Sequence, residues 1–322
     1  MTTSRIVTLT PNPALDVTYR VDALIPGSTH RVRQVVERAG GKGVNVARVL
    51  ASWGHPVEVV GPLGGDTGAR MAAELAAAAL PHTTVPIGEP TRRSVAVVDP
   101  KGVSLFNEPG PRLTESEWLA LIEVVGERVA GAAALVVSGS LPPGAPNDFM
   151  ARLVAAATGA GARVIVDTSG PALQAAAEAG ADLLKPNADE AAAMTDRNDP
   201  WSGAAELVSA GARRVVVSLG ADGLAAVDAD GVAWRVVVPR VDGGNPTGAG
   251  DAVVAALARS GAETGLRGGA WTSTWSDTLA EAAAWGASAV TMATAGEVDP
   301  TTYQTVLSQT TVERIHAPDS PH

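Results

Sequence analysis

The feature that most constrains the fold of this chain is the alternation of short apolar runs with longer alanine-rich stretches. The short runs are rich in Val, Ile and Leu and are apolar throughout, which is typical of strands buried on both faces. The longer stretches have the composition of helices. The sequence therefore predicts an α/β fold, with a mostly parallel central sheet and helices on both of its faces. The predicted strands cover residues 6–10, 57–60, 135–138, 164–167, 183–185 and 215–219, and the predicted helices cover residues 44–53, 68–80, 115–130, 145–158 and 200–210.

Two segments depart from this alternation. Residues 18–38 are mixed and charged, and residues 92–107 contain two strand-like runs joined by the turn sequence Asp-Pro-Lys-Gly, which predicts a hairpin. Because a separate domain would need a core of its own, we predict that both segments form a small β-sheet lid on a single domain spanning residues 1–322.

The predicted hairpin has apolar residues at alternate positions, namely Val95, Val97, Val103 and Leu105. A two-stranded hairpin alone is only marginally stable in water. Burial of one face against a second copy of the chain would supply the missing core, so we predict a homodimer that is joined through the lid.

Composition and charge exclude several classes of protein. The chain has no cysteine, which removes disulfides, thiolate metal sites and cysteine nucleophiles. Its 24 basic and 34 acidic residues give a net charge of -10, which argues against nucleic acid as a partner. The 5 histidines have no metal-ligand spacing. No segment is apolar enough to cross a membrane or to act as a signal peptide, so we expect no membrane partner and a cytoplasmic location.

The strongest motif is the sequence Asn-Pro-Thr-Gly-Ala-Gly-Asp at residues 245–251, followed by a helical stretch. The first N–H groups of a helix have no partner within the helix and bind anions. Asp251 would lie beside them, where a carboxylate can accept the proton of a hydroxyl group. This pairing suits phosphoryl transfer. The alternative is an ordinary glycine turn with an aspartate cap.

A second glycine-rich motif, Ala-Gly-Gly-Lys-Gly-Val-Asn, covers residues 39–45. Its glycines would let a ligand approach the backbone closely. Asn45 offers both a donor and an acceptor to sugar hydroxyl groups. The motif is not a Walker A loop, because Lys42 is followed by glycine. The alternative is a flexible loop with a solvated lysine.

A third motif, Lys-Pro-Asn-Ala-Asp-Glu, covers residues 185–190 at the end of a predicted strand. Asn187 and Glu190 could organise water around Mg²⁺. The alternative is a capping box that simply starts the next helix.

Three weaker signals also follow predicted strands: Asp16, Ser140 in Ser-Gly-Ser-Leu-Pro-Pro-Gly, and Ser218 in Ser-Leu-Gly-Ala-Asp-Gly. Each alone is better explained as a turn. Because parallel strands gather their carboxyl ends at one edge of the sheet, where α/β folds bind ligands, we expect all of these residues to lie together.

In this order, the motifs resemble the PfkB sugar kinases of the ribokinase-like superfamily, over residues 8 to about 291. The opening Thr-Leu-Thr-Pro-Asn-Pro-Ala-Leu-Asp, the Thr91-Arg92 pair and Ser-Gly-Ser-Leu-Pro-Pro-Gly point to its phosphosugar branch. That branch includes 1-phosphofructokinase, tagatose-6-phosphate kinase and 6-phosphofructokinase 2. The chain departs from the family at Asn245-Pro246, where the family usually has Asp-Thr or Ser-Thr, and over residues 261–276, which are long for it.

The resemblance implies a role for each motif. Asp251 would be the catalytic base, with Gly248, Ala249 and Gly250 as the anion hole. The sugar would be held by Asp16, Gly40, Gly41, Lys42 and Asn45, and its phosphate by Arg92 and Ser140. The nucleotide side would comprise Lys185, Asn187, Ser218, Gly220 and Gly223, with Glu190 holding Mg²⁺ through water. Family members use ATP and Mg²⁺, some respond to K⁺, and their lids often pair in homodimers.

The sequence therefore indicates an ATP-dependent kinase of a ketohexose phosphate. Fructose 1-phosphate is favoured narrowly over tagatose 6-phosphate and fructose 6-phosphate. Two alternatives remain open: a kinase of an unphosphorylated sugar or nucleoside, against which Arg92 argues, and a non-catalytic sugar-phosphate sensor, which would have no need of Asp251.

Overall fold

The computed structural model describes residues 4–195, 199–242, 246–263 and 274–315, and Asn245 and Trp271 lie outside these ranges. Within them the strands are β1 (Ile6–Leu9), β2 (Ala14–Arg20), β3 (Gln34–Gly40), β4 (Val57–Leu63), β5 (His82–Pro86), β6 (Arg92–Asp99), β7 (Gly102–Asn107), β8 (Ala134–Ser138), β9 (Arg163–Asp167), β10 (Leu183–Leu184), β11 (Arg214–Ser218), β12 (Leu224–Asp228), β13 (Ala233–Val237) and β14 (Thr311–Ile315). The helices are α1 (Lys42–Ser52), α2 (Gly65–Ala77), α3 (Glu115–Val129), α4 (Phe149–Gly159), α5 (Pro171–Glu178), α6 (Ala188–Thr195), α7 (Pro200–Ser209), α8 (Ala249–Glu263), α9 (Trp275–Ala289) and α10 (Pro300–Gln309).

The central sheet has ten strands in the order β14-β13-β12-β11-β10-β9-β8-β1-β4-β5. The strands from β11 to β5 are paired in parallel, and β12 to β14 are antiparallel. The predicted mostly parallel sheet is therefore confirmed. Each of the six predicted strands is present, whereas β5 and the antiparallel extension carry weaker patterns that the sequence analysis did not identify.

The core occupies both faces of this sheet. Ile6 of β1 packs into a cluster with α1, α8 and α9, whereas its neighbour Val7 packs into a second cluster with α3 and α4. Adjacent strand residues point to opposite faces, so a strand covered on both sides must be apolar at every position. This explains the uninterrupted apolar runs. The helix predicted at 145–158 begins later, at Phe149, after a turn in which the Phe149 N–H donates to the Pro146 carbonyl at 3.0 Å.

A separate four-stranded sheet, the small sheet, has the order β3-β2-β6-β7. It contains the predicted hairpin of residues 92–107, whose strands β6 and β7 pair antiparallel on either side of the predicted turn. The other two strands, β2 and β3, correspond to the predicted segment 18–38. They begin earlier than predicted, at Ala14, because β2 runs parallel to β6 along its whole length. The small β-sheet predicted outside the main sheet is thus present.

The register of the hairpin contradicts the prediction of one shared apolar face. Val95 lies opposite Phe106 and packs against the core, whereas Phe106 itself is 56% exposed. Val103 and Leu105 lie opposite Val98 and Ala96, on the other face, and are 60% and 57% exposed. Residues one position apart in register face opposite sides of a sheet. The apolar residues of the hairpin are therefore divided between the core and the surface.

No helix in the described ranges combines the length and the apolar character that a membrane crossing requires.

Candidate active site

A cavity of about 1190 Å³ lies between the small sheet and the carboxyl-terminal edge of the parallel strands. Side chains from both sheets and from the starts of α1 and α8 line it. The predicted site residues that line this cavity are Asp16, Gly41, Lys42, Asn45, Arg92, Ser140, Lys185, Asn187, Glu190, Ser218, Gly220, Gly223, Gly248, Ala249, Gly250 and Asp251. The structure thus brings together motifs that are more than 200 residues apart in the sequence.

Gly40 is the one predicted residue that does not line the cavity, and its place is directly behind Asp16. A Cβ atom at Gly40 would lie 1.9 Å from Asp16 Oδ2. Only a residue without a side chain leaves room for the carboxyl group there. Gly40 therefore affects the site through Asp16.

Asp251 is the third residue of α8, and its side chain is almost completely buried. Its position inside α8 is not that of an N-cap, and Asn45 Nδ2 donates a hydrogen bond to Asp251 Oδ2 at 2.8 Å. Burial and the negative charge of Asp167 raise the pKa of Asp251 to about 7, although the Asn45 hydrogen bond and the two nearby lysines act in the opposite direction. A carboxyl group with a pKa near neutrality is suited to accept and release a proton.

Asp167, at the end of β9, is the central charged residue of the site, and the sequence analysis did not identify it. It is 1% exposed, and its Oδ1 atom lies 3.4 Å from both Lys42 Nζ and Lys185 Nζ. The Ser138 hydroxyl donates to Oδ2 at 3.4 Å. The available signal was the sequence Val-Ile-Val-Asp, in which a buried strand ends on a carboxylate.

Both lysines are therefore held by a buried carboxylate, although the Lys42 side chain is still 42% exposed. Burial alone would lower the pKa of Lys42, but Asp167, Glu190 and Asp251 outweigh it and raise this pKa above its usual range, so Lys42 stays charged. Lys185 is 3% exposed, and its Nζ would lie 3.5 Å from a Cβ atom placed at Gly250. Two fixed positive charges thus stand beside the glycine-rich start of α8, where the helix N–H groups also favour an anion.

The small sheet supplies the opposite wall. Arg92 Nε donates to the Asn12 carbonyl and Arg92 Nη1 to the Glu108 carbonyl, both at 3.1 Å, which fixes the guanidinium at the cavity. Burial raises the pKa of Asp16 to about 6. The positive charges of nearby arginines act in the opposite direction, and Arg92 has the largest effect among them. The neighbouring Arg93 points away from the cavity and is exposed.

Asn12 connects this wall to the loop after β8, and it is a second residue that the sequence analysis quoted without assigning. Its Nδ2 atom donates to the Pro109 carbonyl at 3.0 Å and to the Ser140 hydroxyl at 3.3 Å. Ser140 is thereby held on the same side of the cavity as Arg92.

The Asn187–Glu190 motif does form a capping box. The Asn187 N–H donates to Glu190 Oε2 at 2.9 Å, and the Glu190 N–H donates to Asn187 Oδ1 at 2.7 Å. Glu190 Oε1 lies 4.0 Å from Lys42 Nζ, and the side chain lines the cavity. The cap uses one carboxylate oxygen, and the other faces the charged cluster.

The end of the cavity near Ser218 is lined by residues that belong to none of the sequence motifs. It is formed by the segment after β13, residues 238–242, and by Ala283, Gly286, Ala287 and Val290 from α9 and its end. A Cβ atom at Gly286 would lie 2.6 Å from Val253 of α8, so the glycine allows the two helices to pack closely. This end is largely apolar, which suits a flat aromatic ring.

Comparison with known proteins gives consistent matches. The model of the pfkB family of carbohydrate kinases matches residues 12–302. ATP-dependent 6-phosphofructokinase isozyme 2 of Escherichia coli (strain K12) is 40% identical over 262 residues, which are 79% of this chain and 84% of that protein. The 1-phosphofructokinase of Xanthomonas campestris pv. campestris is 37% identical over 266 residues, which are 78% and 82% of the two chains. The crystal structure of phosphofructokinase-2 from Escherichia coli in complex with potassium matches with a TM-score of 0.86 and 35% identity, covering 95% of this chain and 99% of that one.

The fold and these matches define a sugar kinase, an enzyme that transfers a phosphoryl group to a hydroxyl group. The chain belongs to the pfkB family of carbohydrate kinases. The resemblance to the PfkB sugar kinases is therefore confirmed, and so is the ribokinase-like fold.

If Asp251 accepts the proton of the acceptor, Asp251→Asn will lower kcat by about 10²–10⁴-fold with little change in KM for the sugar. Because the raised pKa means that the ionised carboxyl group opposes folding above pH 7, Tm at pH 8 should be unchanged or higher. Asp277→Asn is the matched control, since Asp277 is an exposed aspartate in the first turn of α9. A kcat above about a third of the wild-type value would remove Asp251 from the reaction.

The pH dependence should follow the same carboxyl group. A base must be deprotonated to act, so log(kcat/KM) should fall with a slope near one as the pH falls through about 7. Below about pH 6, protonation of Asp16 should steepen the fall. A profile that stays flat from pH 8 to pH 5 in initial-rate assays would contradict both assignments.

Proposed function

We propose that this kinase transfers the γ-phosphoryl group of ATP to a free hydroxyl group of a ketohexose monophosphate and forms the bisphosphate. The observation that carries the proposal is the position of Arg92, which is fixed in the acceptor wall of the cavity beside Asp16. A guanidinium group grips phosphate through parallel charge-assisted hydrogen bonds. An unphosphorylated acceptor would offer the Arg92 guanidinium no phosphate to bind.

Fructose 1-phosphate is the acceptor that we propose first. The second candidate is fructose 6-phosphate, which is favoured by the name of the relative at 40% identity, a 6-phosphofructokinase. The 1-phosphofructokinase at 37% identity supports the first candidate almost equally. Tagatose 6-phosphate is the third. Because ATP and sugar phosphates are cytoplasmic metabolites, we place the enzyme in the cytoplasm.

The acceptor hydroxyl group would lie between Asp251 and the donor phosphate. Asp251 would take its proton, and Asn45 would keep the receiving carboxyl group oriented through the 2.8 Å hydrogen bond. Gly248, Ala249 and Gly250 would present backbone N–H groups to the charge that develops on the transferred phosphoryl group. Lys185, held by Asp167 beside Gly250, would add a fixed positive charge there.

The remaining predicted residues fall into two groups around this centre. On the acceptor side, Asp16, Gly41 and Lys42 would bind the sugar, Gly40 would give Asp16 its room, and Ser140 would assist Arg92. On the donor side, Asn187, Ser218, Gly220 and Gly223 would form the nucleotide site, with the apolar surface from α9 against the base.

Mg²⁺ fits the donor set at this edge of the sheet. Asp167 and Glu190 both present carboxylate oxygens toward Lys42, and Mg²⁺ is normally held by one or two carboxylates together with water and substrate phosphates. When bound, the ion would neutralise charge on the donor phosphates. We propose Glu190 as a contact through water. We propose K⁺ as a further ion from the crystal structure of the Escherichia coli phosphofructokinase-2 in complex with potassium.

The small sheet would act as a lid, and the whole chain as one kinase domain. Its strands β2, β6 and β7 bring Asp16, Arg92 and Asn107 to the cavity. Closure of this wall would exclude water and so limit wasteful hydrolysis of ATP.

Two variants of Glu190 separate its charge from its role in the cap. Glu190→Gln keeps a side chain that can complete the capping box but removes the charge, whereas Glu190→Ala removes both. We expect Glu190→Gln to raise the Mg²⁺ concentration for half-maximal rate about 10-fold with Tm near that of the wild type. Glu190→Ala should also lower Tm. An unchanged Mg²⁺ dependence in Glu190→Gln would leave Glu190 as a helix cap only.

Arg92→Ala tests the preference for a phosphorylated acceptor. The loss of one charge-assisted hydrogen bond costs about 1.5–3 kcal/mol, which should raise KM for the sugar phosphate roughly 10- to 150-fold. The rate with free sugars should change little. Arg93→Ala is the control, because Arg93 is the adjacent residue, lies on the opposite face of β6 from Arg92 and is exposed. Equal losses with free and phosphorylated sugars, or a larger loss in Arg93→Ala, would contradict the phosphate contact.

The exposed face of the small sheet supports a homodimer. Val36, Ala96 and Leu105 lie in one row across this face, through Thr18 in β2, and Val36 and Leu105 are 44% and 57% exposed. Leu105→Asp should therefore give a monomer in light scattering. Leu119→Asp, on an exposed position of α3, is the matched control. A wild-type protein that is monomeric throughout the micromolar range would contradict the interface.

A further inference from the structure

One side chain of the small sheet reaches the segment that supports the glycine-rich start of α8. Arg38, on β3, donates from Nη1 to the Ala295 carbonyl at 2.9 Å, and its Nη2 atom lies 3.5 Å from Glu297 Oε1. The Arg38 side chain is 27% exposed. These contacts join residues that are 257 positions apart in the chain.

The segment that Arg38 holds is packed directly on Gly248. A Cβ atom at Gly248 would lie 2.8 Å from Ala295 Cβ and 3.4 Å from the Gly296 nitrogen, and Gly248 has a φ of +89°. The segment therefore fixes the backbone at the point where the proposed anion hole begins. Any side chain at position 248 would displace it.

The same segment also contacts the start of α1. A Cβ atom at Gly296 would lie 3.1 Å from the Arg48 side chain and 3.5 Å from Asn45 Cα. Asn45 is the residue that donates to Asp251. Residues 295 and 296 thus lie between Asn45, which orients the proposed base, and Gly248, where the proposed anion hole begins.

At its other end, Arg38 belongs to the acceptor wall. In the register of β2 and β3, Arg38 lies directly opposite Asp16, on the same face. A displacement of this part of the small sheet would therefore move both Asp16 and the Arg38 guanidinium. The hydrogen bond to Ala295 would transmit such a displacement to Gly248, on which Ala295 packs.

We propose that Arg38 is a positioning residue of this kinase, which holds the 295–297 segment against Gly248 and so couples the acceptor wall to the anion hole. Arg38 would contact neither substrate and would act through the backbone of the 295–297 segment that it holds. The inference rests on the proposed function of Gly248–Gly250 and Asp251.

The test compares Arg38→Met, Arg38→Lys and Glu297→Gln at pH 8, where Asp16 is ionised. Arg38→Met should lower kcat about 2- to 30-fold, with KM for the acceptor within about twofold of the wild-type value. Arg38→Lys keeps a charged donor for the Ala295 carbonyl and should restore most of kcat. Glu297→Gln leaves the Arg38–Ala295 bond in place and should be the mildest variant.

The matched control is Arg70→Met. Arg70 pairs with Glu37, the neighbour of Arg38 on β3, at 2.9 Å, but from α2 and on the opposite face of the strand. Arg70→Met removes an arginine of α2 and its ion pair with β3, but it leaves the contacts of the 295–297 segment in place. The kcat of this variant should therefore be unchanged.

Hydrogen exchange supplies a readout that does not depend on activity. Amide exchange over residues 246–250 should be faster in Arg38→Met than in the wild type, and unchanged in Arg70→Met. If the wild type shows no preference for sugar phosphates, the acceptor proposal fails on its own, while this exchange comparison still tests Arg38.

Three results would overturn the inference. Wild-type kcat and exchange in Arg38→Met would show that the contact is only a surface ion pair. A raised KM for the acceptor with unchanged kcat would show that Arg38 acts through Asp16. Equal losses in Arg70→Met would show that any weakening of the attachment of β3 has the same effect.

Discussion

The buried carboxylate of Asp167 is the group on which the site depends. A carboxylate inside a protein is costly unless it is paired, and here it is paired with two lysines that come from different elements. Lys185 is itself almost fully buried, so removal of Asp167 would leave the Lys185 charge uncompensated at a cost of about 3–5 kcal/mol. The pairing therefore fixes the ends of β9 and β10 relative to the start of α1.

The same cluster sets the protonation of the proposed base. Lys42 faces three carboxyl groups, those of Asp167, Glu190 and Asp251, so the local balance of charge is negative. The charge of Asp167 adds to burial in raising the pKa of Asp251 to about 7. An arriving phosphate group would meet the lysines, and an arriving hydroxyl group would meet a base that is partly protonated at neutral pH. The charged groups that hold the site together therefore also set the pKa of the proposed base.

Much of the fold could be predicted from the sequence, because strands covered on both faces leave uninterrupted apolar runs. The glycine-rich motifs at residues 39–45 and 245–251 announced the two helix starts that line the cavity. Asp167 could not be singled out in the same way, since one carboxylate at the end of a strand has no spacing signature. Its role depends on two lysines that lie 125 and 18 positions away.

Other parts of the site depend on register and packing, which the sequence does not display. The division of Val95 and Leu105 between two faces of the hairpin follows from the pairing of β6 with β7. The contact of Arg38 with Ala295 follows from the way β3 meets a segment near the end of the chain. The role of Gly40 is visible only from the position of the Asp16 carboxyl group, which fills the space that a side chain at residue 40 would need.

The most direct test of the account is acceptor-dependent release of ADP by the purified wild-type protein, measured with a panel of ketohexose monophosphates and the corresponding free sugars. ADP release should require an acceptor and Mg²⁺. The kcat/KM for a fructose monophosphate should be at least about 10-fold above that for free fructose, the factor expected from one charge-assisted contact at Arg92. Equal or faster turnover of a free sugar or a nucleoside, or ADP release that is indifferent to the acceptor, would contradict the proposed function.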